Sequence, residues 1–406
     1  MAAPERAPSP ALEYAIFDCD NHYYEALDAF SRHVDRALGA RGVQWCEIDG
    51  RKHHVVGGRV SGAVRNATFS PISKPGCLYD FLRGNPKGEN PLARLRDSEP
   101  IPDHYRHPDA RLRVMDAQGL EAAWLFPTLG VLYEQLLQPD VEAVTKVFTG
   151  FNRWLDEDWG LAYEGRIFAA PYFSLCDVDW ACAELDWALA RGARVICTRP
   201  SAAWTKEGPR SPGDPAFDPF WARVHEAGVT VVIHAGDSGY NTNGYADDRF
   251  SAFGAGGESG YGRPSLRAWS IERAALDFLA TLIFDRLFER FPNLRVASVE
   301  NGSEFLPYLF RKLESSGRNL KHWYREPPLE TFRRHVWINP FWEDDVVEVA
   351  AQMGSDRVLF GSDWPHVEGL PEPTYDLDAI RAHFGPDDQR RILRDNVRAL
   401  NALAPA

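Results

Sequence analysis

The first apolar stretch of the chain ends in Asp18-Cys19-Asp20-Asn21-His22. Side chains alternate along an extended strand, so Asp18, Asp20 and His22 are expected on one face. A carboxylate and an imidazole two residues apart there can both reach one divalent ion, although a capping aspartate and a solvated histidine leave the same trace. Two further runs carry the same residue types. Thr230-Val231-Val232-Ile233 leads directly into His234, and Val358-Leu359-Phe360 leads through Gly361 and Ser362 into Asp363-Trp364-Pro365-His366. Singly, His234 also reads as a hydrogen-bonded core histidine and Asp363 as a helix cap. Together, Asp20, His22, His234 and Asp363 form a set of two carboxylates and two imidazoles at the ends of three apolar runs. Such a set suits Zn²⁺, Mn²⁺ or Fe²⁺ better than Ca²⁺ or Mg²⁺, and one Zn²⁺ per chain is the first expectation. Four protein ligands leave room for water or substrate.

Those residues need a scaffold that brings strand ends together. Short, nearly continuous apolar segments recur at Tyr14–Asp18, Glu121–Phe126, Ile167–Phe173, Arg194–Cys197, Thr230–Ile233, Arg295–Val299, Val336–Ile338 and Val358–Phe360. Uninterrupted apolarity without alternation is the pattern of parallel strands covered on both faces. Helical periodicity lies between them, as in 141–159, where Val144, Val147, Phe148, Phe151, Trp154 and Leu155 recur at helical spacing. Residues 179–191, 217–227, 266–290, 304–312 and 376–403 also read as helices. Eight strands alternating with helices predict an α/β fold, a (β/α)₈ TIM barrel over residues 13–406 behind a disordered tail at 1–12. Two stretches are too long for ordinary loops. Residues 23–118, with a hairpin signal at Asp49-Gly50, read as a cap or interface segment inserted after strand one. Residues 235–264 form a second, glycine- and aromatic-rich loop.

Length and composition narrow the class. At 406 residues, with 44% hydrophobic and 25% charged residues, the chain can bury a large core, its many aromatics included. The net charge of −13 argues against a phosphate-backbone partner, so no nucleic acid is expected. No apolar run approaches the roughly 20 residues of a membrane span, and the first residues lack the apolar region of a signal peptide. Six cysteines without CxxC spacing suit free thiols in the cytoplasm. A small-molecule substrate is the partner that remains.

The runs DCDNH, VVIHAG and LFGSDWPH resemble the amidohydrolase-related branch of the amidohydrolase superfamily, which includes aminocarboxymuconate semialdehyde and γ-resorcylate decarboxylases. The resemblance extends from about residue 14 to 403 and leaves the stretch around 40–100 uncovered. It implies a distorted (β/α)₈ barrel, one catalytic divalent metal and a homodimer. Carried over by position, the branch's D-x-H-x-H falls on Asp18 to His22, with Asp20 where a histidine is usual, and His234 and Asp363 match two further ligand positions. No lysine follows strand four, so no carboxylated-lysine dinuclear centre is implied. On strand six the branch's His-x-Gly is Glu300-Asn301-Gly302, which leaves Glu300 as base, acid, ligand or structural carboxylate. A carboxylate beside a dication is normally ionised, which favours base or ligand.

Other strand ends supply pocket candidates. Arg199 can clamp a substrate carboxylate or form a structural salt bridge. Tyr172, Asn339, Glu343 and Trp364 are candidates for the substrate wall, and His366 for acid–base work beside Asp363 and Glu300. The leading expectation is a metal-dependent hydrolase, in which metal-activated water attacks a small cyclic or aromatic, carboxylate-bearing substrate. The alternative is a metal-dependent non-oxidative decarboxylase of an aromatic or muconate-like acid. A third reading is a metal-stabilised binding barrel without catalysis.

Overall fold

The structure is a computed structural model that describes residues 12–64, 66–240, 266–341 and 344–404. Residues 1–11 of the expected tail, 241–264 of the long loop, and Glu343 lie outside the described residues. Seven strands fall on the expected apolar stretches: β1 (Ile16–Tyr23), β2 (Leu120–Pro127), β3 (Ile167–Ala169), β4 (Val195–Thr198), β5 (Thr230–His234), β6 (Val296–Val299) and β7 (Val336–Ile338). They make two wholly parallel sheets, in the orders β1-β2-β3 and β7-β6-β5-β4. Every residue of β1, β5 and β6 is buried, as near-continuous apolarity requires.

Single bridges tie the sheets' outer strands to their neighbours. Tyr172, past the end of β3, bridges Cys197 of β4, while Val358 bridges Ile338 of β7 and Trp364 bridges Asn21 of β1. The eighth expected strand therefore lies between β7 and β1 but is too irregular to be a strand. Its backbone is held instead by Cys19 N–H to the Phe360 carbonyl (2.9 Å) and His22 N–H to the Trp364 carbonyl (2.8 Å). The architecture is α/β with parallel sheets.

Helices cover the sheets where periodicity placed them, with two differences, and one strand is shorter than expected. The expected helix over 376–403 is broken into Asp378–His383, Pro386–Arg390 and Asn396–Leu400, with Arg391–Asp395 in wider turns. Gly385-Pro386 interrupts it, because proline lacks the N–H a continuing helix needs. The expected 266–290 helix is Arg267–Phe284 followed by a separate turn at Leu287–Arg290, and Arg286 between them has φ +54°. Strand β3 stops at Ala169, before Pro171.

Within 23–118, Val43–Ile48 pairs antiparallel with Arg51–Val56 around Asp49-Gly50. Both turn residues have positive φ (51° and 72°), the requirement of the two-residue hairpin turn that Asp-Gly favours. This hairpin is pinned to the helix Gly130–Leu137 that follows β2. Buried His54 makes a 2.6 Å bond to the Tyr133 hydroxyl, Trp45 donates to the Leu27 carbonyl, and Phe30 stacks on Phe151 at 4.8 Å.

Burial pushes His54 down to about 4 from an ordinary 6.5, so it is neutral when folded. Unfolded, it takes up a proton below pH 6.5, which the folded chain does not accept until near pH 4. Its contribution is therefore intact above pH 6.5 and is lost as pH falls through that window, up to roughly 3 kcal/mol. His54→Gln is expected to flatten the fall in melting temperature between those pH values, measured by thermal unfolding across a pH series.

Candidate metal centre

The site is built at the carboxyl ends of β1 and β5, the turn after β6 and the irregular eighth stretch. Register decides which acids of β1 reach it. Asp18 pairs with Ala123 and Asn21 with Leu125, so three steps along β1 oppose two along β2. That bulge re-aims the side chains around it. Asp20 and His22 point into one cluster, whereas Asp18, expected on the same face, turns to the eighth stretch. Its carboxylate accepts from the Ser362 hydroxyl (2.5 Å), the Ser362 and Asp20 amides (3.0 Å each) and the Asn21 amide (3.0 Å). Asp18 is a fastener, not a ligand.

His22 Nε2 lies 3.2 Å from Asp20 Oδ1, 3.3 Å from Asp363 Oδ1 and 3.8 Å from Glu300 Oε2. His234 Nε2 lies 3.4 Å from Asp20 Oδ1 and 3.3 Å from Glu300 Oε2. The His234 Nδ1 atom is 2.9 Å from the Ala235 carbonyl, which only an N–H can satisfy. Nε2 is therefore the ring atom left to face the carboxylates. His22 Nε2, Asp20 Oδ2 and Asp363 Oδ2 are buried without any hydrogen-bond partner. Converging lone pairs and orphaned buried oxygens in one place are what a divalent cation satisfies. The residues fit a metal.

Ligand-capable atoms of Asp20, His22, His234 and Glu300 all lie within 4.8 Å of one another, and a second such group contains His22, Glu300, Asp363 and His366. Glu300, rather than Asp363, thus joins the first three. Both Glu300 (φ +59°) and Asp363 (φ +52°) have left-handed backbone, a strained conformation for non-glycine residues that recurs where side chains must converge. Gly361 permits the approach: a Cβ there would lie 2.4 Å from the Asp20 Cβ.

Asp363 leans the other way, onto His366. His366 Nδ1 is 2.7 Å from Asp363 Oδ1, and its Nε2 is 2.9 Å from the Thr128 hydroxyl. Thr128 gives its one hydrogen to the Tyr23 carbonyl (2.8 Å), so it accepts from His366 Nε2–H. A proton consequently sits between His366 Nδ1 and Asp363. Burial drives it toward Asp363, aided by Glu300 and Asp20 raising the Asp363 carboxyl and by His22, stacked 3.9 Å away, depressing His366. Glu300 is likewise raised, by burial and then by Asp20 and Glu368.

A cavity of about 780 Å³ opens on His22, His234, Glu300 and His366. Of the residues expected to line it, Arg199 and Tyr172 are not brought there. Both are consumed by buried Glu134: Arg199 Nε at 3.2 Å and the Tyr172 hydroxyl at 2.6 Å, with Arg199 also bonded to Gln135 and the Asp237 carbonyl. Trp364 packs away from the cavity, stacked on His104 and against Tyr105 and Arg111. Asn339 sits behind Glu300, accepting its backbone N–H at 3.4 Å. Three contributors were not singled out in the sequence. Thr128 follows β2 and the same strand-end reading reaches it, Glu368 lies two residues past His366, and the inserted segment lines the cavity at Gly50–Lys52, Ala63, Val64, Asn66 and Thr68–Ser73.

A family model described as Amidohydrolase matches residues 18–400. An amidohydrolase structure from Mycobacterium avium subsp. paratuberculosis K-10 is 39% identical, with a TM-score of 0.87, covering 97% of this chain and 100% of that one. The γ-resorcylate decarboxylase of Rhizobium sp. (strain MTP-10005) is 24% identical over 313 residues, 70% of this chain and 86% of the relative. The fold is also that of a dihydroxybenzoic acid decarboxylase from Polaromonas sp. JS666 with bound manganese and 2-nitroresorcinol, 17% identical, with a TM-score of 0.54 over 80% of this chain and 93% of that one.

Metal uptake at this cluster must displace the proton that burial holds on Glu300. Purified protein is expected to bind about one divalent ion per chain, to release protons on binding, and to lose affinity as pH falls. Titration of metal-stripped protein in buffers of different ionisation enthalpy checks this. His234→Ala and Glu300→Gln are each expected to weaken binding by about tenfold or more; unchanged metal content in both would remove the assignment.

Proposed function

The chain belongs to the amidohydrolase family, and from that premise we propose that it is a divalent-metal-dependent, non-oxidative decarboxylase of an aromatic or muconate-like acid. We read its two parallel sheets and the bridging eighth stretch as one distorted (β/α)₈ barrel, with the site at its carboxyl end, where such barrels place their chemistry. Hydrolysis was the leading expectation from the residues. The decarboxylase activity named for the Rhizobium relative supports carboxyl loss instead. The observation that carries the reading is the Asp363–His366 pair, 2.7 Å apart and with Asp363 only 3.3 Å from His22, set directly beside the ligand cluster.

Asp20, His22, His234 and Glu300 would hold the ion, and the manganese of the Polaromonas relative supports Mn²⁺ over the Zn²⁺ expected first. Such an ion supplies Lewis acidity toward an oxygen of the bound acid. The remaining work belongs to the side chains. Apolar walls at Val131, Leu132 and Phe69 exclude water from the acid. Asp363 delivers its proton to the carbon that carries the carboxylate. As the bond to CO₂ breaks, its electron pair becomes the new C–H bond and CO₂ leaves. His366, held by Thr128, keeps Asp363 oriented and stabilises the charge left on it. Free cysteines at all six positions support a reducing, cytoplasmic setting, and the family resemblance supports a homodimer.

Metal-loaded enzyme is expected to release CO₂ from an ortho-hydroxylated aromatic acid and to incorporate no ¹⁸O from labelled water into the product. Label in the product without CO₂ would restore hydrolysis. Asp363→Asn is expected to lower turnover by about 10²–10⁴-fold while metal content persists. His366→Gln is expected to have a smaller effect and to alter the pH profile.

A further inference from the structure

The inserted segment carries three cations whose placement the metal chemistry does not explain. Arg51 and Lys52 follow the hairpin turn, and Arg96 precedes the short pairing of Ser98–Glu99 with Ile72–Ser73. All three line the cavity that opens on the metal cluster, and all three are exposed. None has an ion pair or side-chain hydrogen bond among the described residues. Four other basic residues of the same segment are paired: Arg41 with Asp140 and Glu142, Lys74 with Asp97, Lys87 with Asp80 and Arg94 with Glu89. Three unmatched cations lining one cavity, in a chain of net charge −13, are a local concentration of positive charge that faces the lining acids Glu300 and Glu368.

The cavity itself has a graded character. Glu300, His22 and His234 form its metal-facing part, the insertion brings the cations, and Val64, Phe69 and Ile72 contribute apolar wall. Its volume of about 780 Å³ is in the upper part of the range for drug-sized ligands and exceeds what a single-ring acid fills. An anion approaching an acidic protein is repelled over about one Debye length, roughly 8–10 Å at physiological salt, and inside that distance nearby cations dominate.

We propose that Arg51, Lys52 and Arg96 form a second anion subsite, so that the substrate is an extended dianion: an acid head at the metal cluster, an apolar middle larger than one ring, and a carboxylate or phosphate-type group held by the insertion. This rests on the decarboxylase reading for the head group only. The unpaired guanidinium and ammonium groups supply charge-assisted hydrogen bonds to the second anion, and planar Arg51 and Arg96 can each engage it bidentately.

The test is calorimetric binding to Mn²⁺-loaded protein, which needs no turnover. The probes are biphenyl-4-carboxylate, biphenyl-4,4′-dicarboxylate and 4′-phosphonobiphenyl-4-carboxylate. Both dianions are expected to bind about tenfold or more tightly than the monoanion, with the margin shrinking as salt rises. Preference for one dianion over the other identifies carboxylate or phosphate-type recognition. The triple variant Arg51→Gln, Lys52→Gln, Arg96→Gln is expected to lose the dianion margin while keeping monoanion affinity, metal content and melting temperature. Equal affinities in the wild type, a margin that survives the triple variant, or a parallel loss of monoanion binding would each overturn the subsite. Loss of metal content, or ¹⁸O incorporation in place of CO₂ release, would instead overturn the centre or its reaction and leave the dianion margin standing as a separate result.

Discussion

Three carboxyl groups and three imidazoles gathered in one buried cluster dominate the structure. Asp20 and Asp363 are essentially inaccessible, Glu300 nearly so, and Nε2 of both His22 and His234 faces the oxygens at 3.2–3.8 Å. In a low-dielectric interior such an assembly repels itself unless protons or a cation intervene. Protons are the solution without metal, on Glu300 and at the Asp363–His366 contact. A divalent ion in place of the proton on Glu300 is the other. The same repulsion therefore explains the orphaned oxygens, the raised carboxyls and the capacity for proton transfer.

Holding like groups together needs fasteners that are not themselves part of the chemistry. Asp18 clamps Ser362 through both hydroxyl and amide, and the Asp20 carbonyl accepts from Ser362 and Asp363 N–H. These bonds join the first and eighth stretches where no regular ladder exists. They also fix the left-handed backbone of Asp363, a strain of order 1–3 kcal/mol that the surrounding bonds must outweigh. Glu300 is fixed similarly, its N–H directed to Asn339 and the next residue, Asn301, bonded to the carbonyls of Ile233 and Val299. Two strained acids are each held from behind by an asparagine or a serine.

What could be read from the sequence follows from which signals are local. Parallel strands buried on both faces announce themselves as apolar runs, so β1 to β7 and the residues ending β1 and β5 were legible, and Asp20, His22 and His234 do converge. Face alternation failed at Asp18 because the bulge before Asn21 depends on the partner strand. Arg199 and Tyr172 were placed at the right strand ends, yet their polar atoms answer to Glu134, a residue on a helix more than 30 positions away from either. No local pattern encodes that competition. Trp364 shows the same limit: its neighbours Tyr105 and Arg111 come from the far end of the insertion. The helix over 376–403 is broken for a local reason that the sequence carries, the Gly385-Pro386 step.

The insertion is where the sequence was least informative and the structure most so. Its hairpin turn was visible, but a hairpin alone does not say what it covers. Anchored through His54, Trp45 and Phe30, it becomes a wall of the cavity whose opposite side is the metal cluster. Side chains at the ends of the parallel strands are placed by the fold itself. A wall built from an inserted segment is free of that constraint, and unmatched charge on it has no structural reason to persist. Selectivity in this chain is therefore best sought in Arg51, Lys52 and Arg96, and reactivity in Asp363 and Glu300.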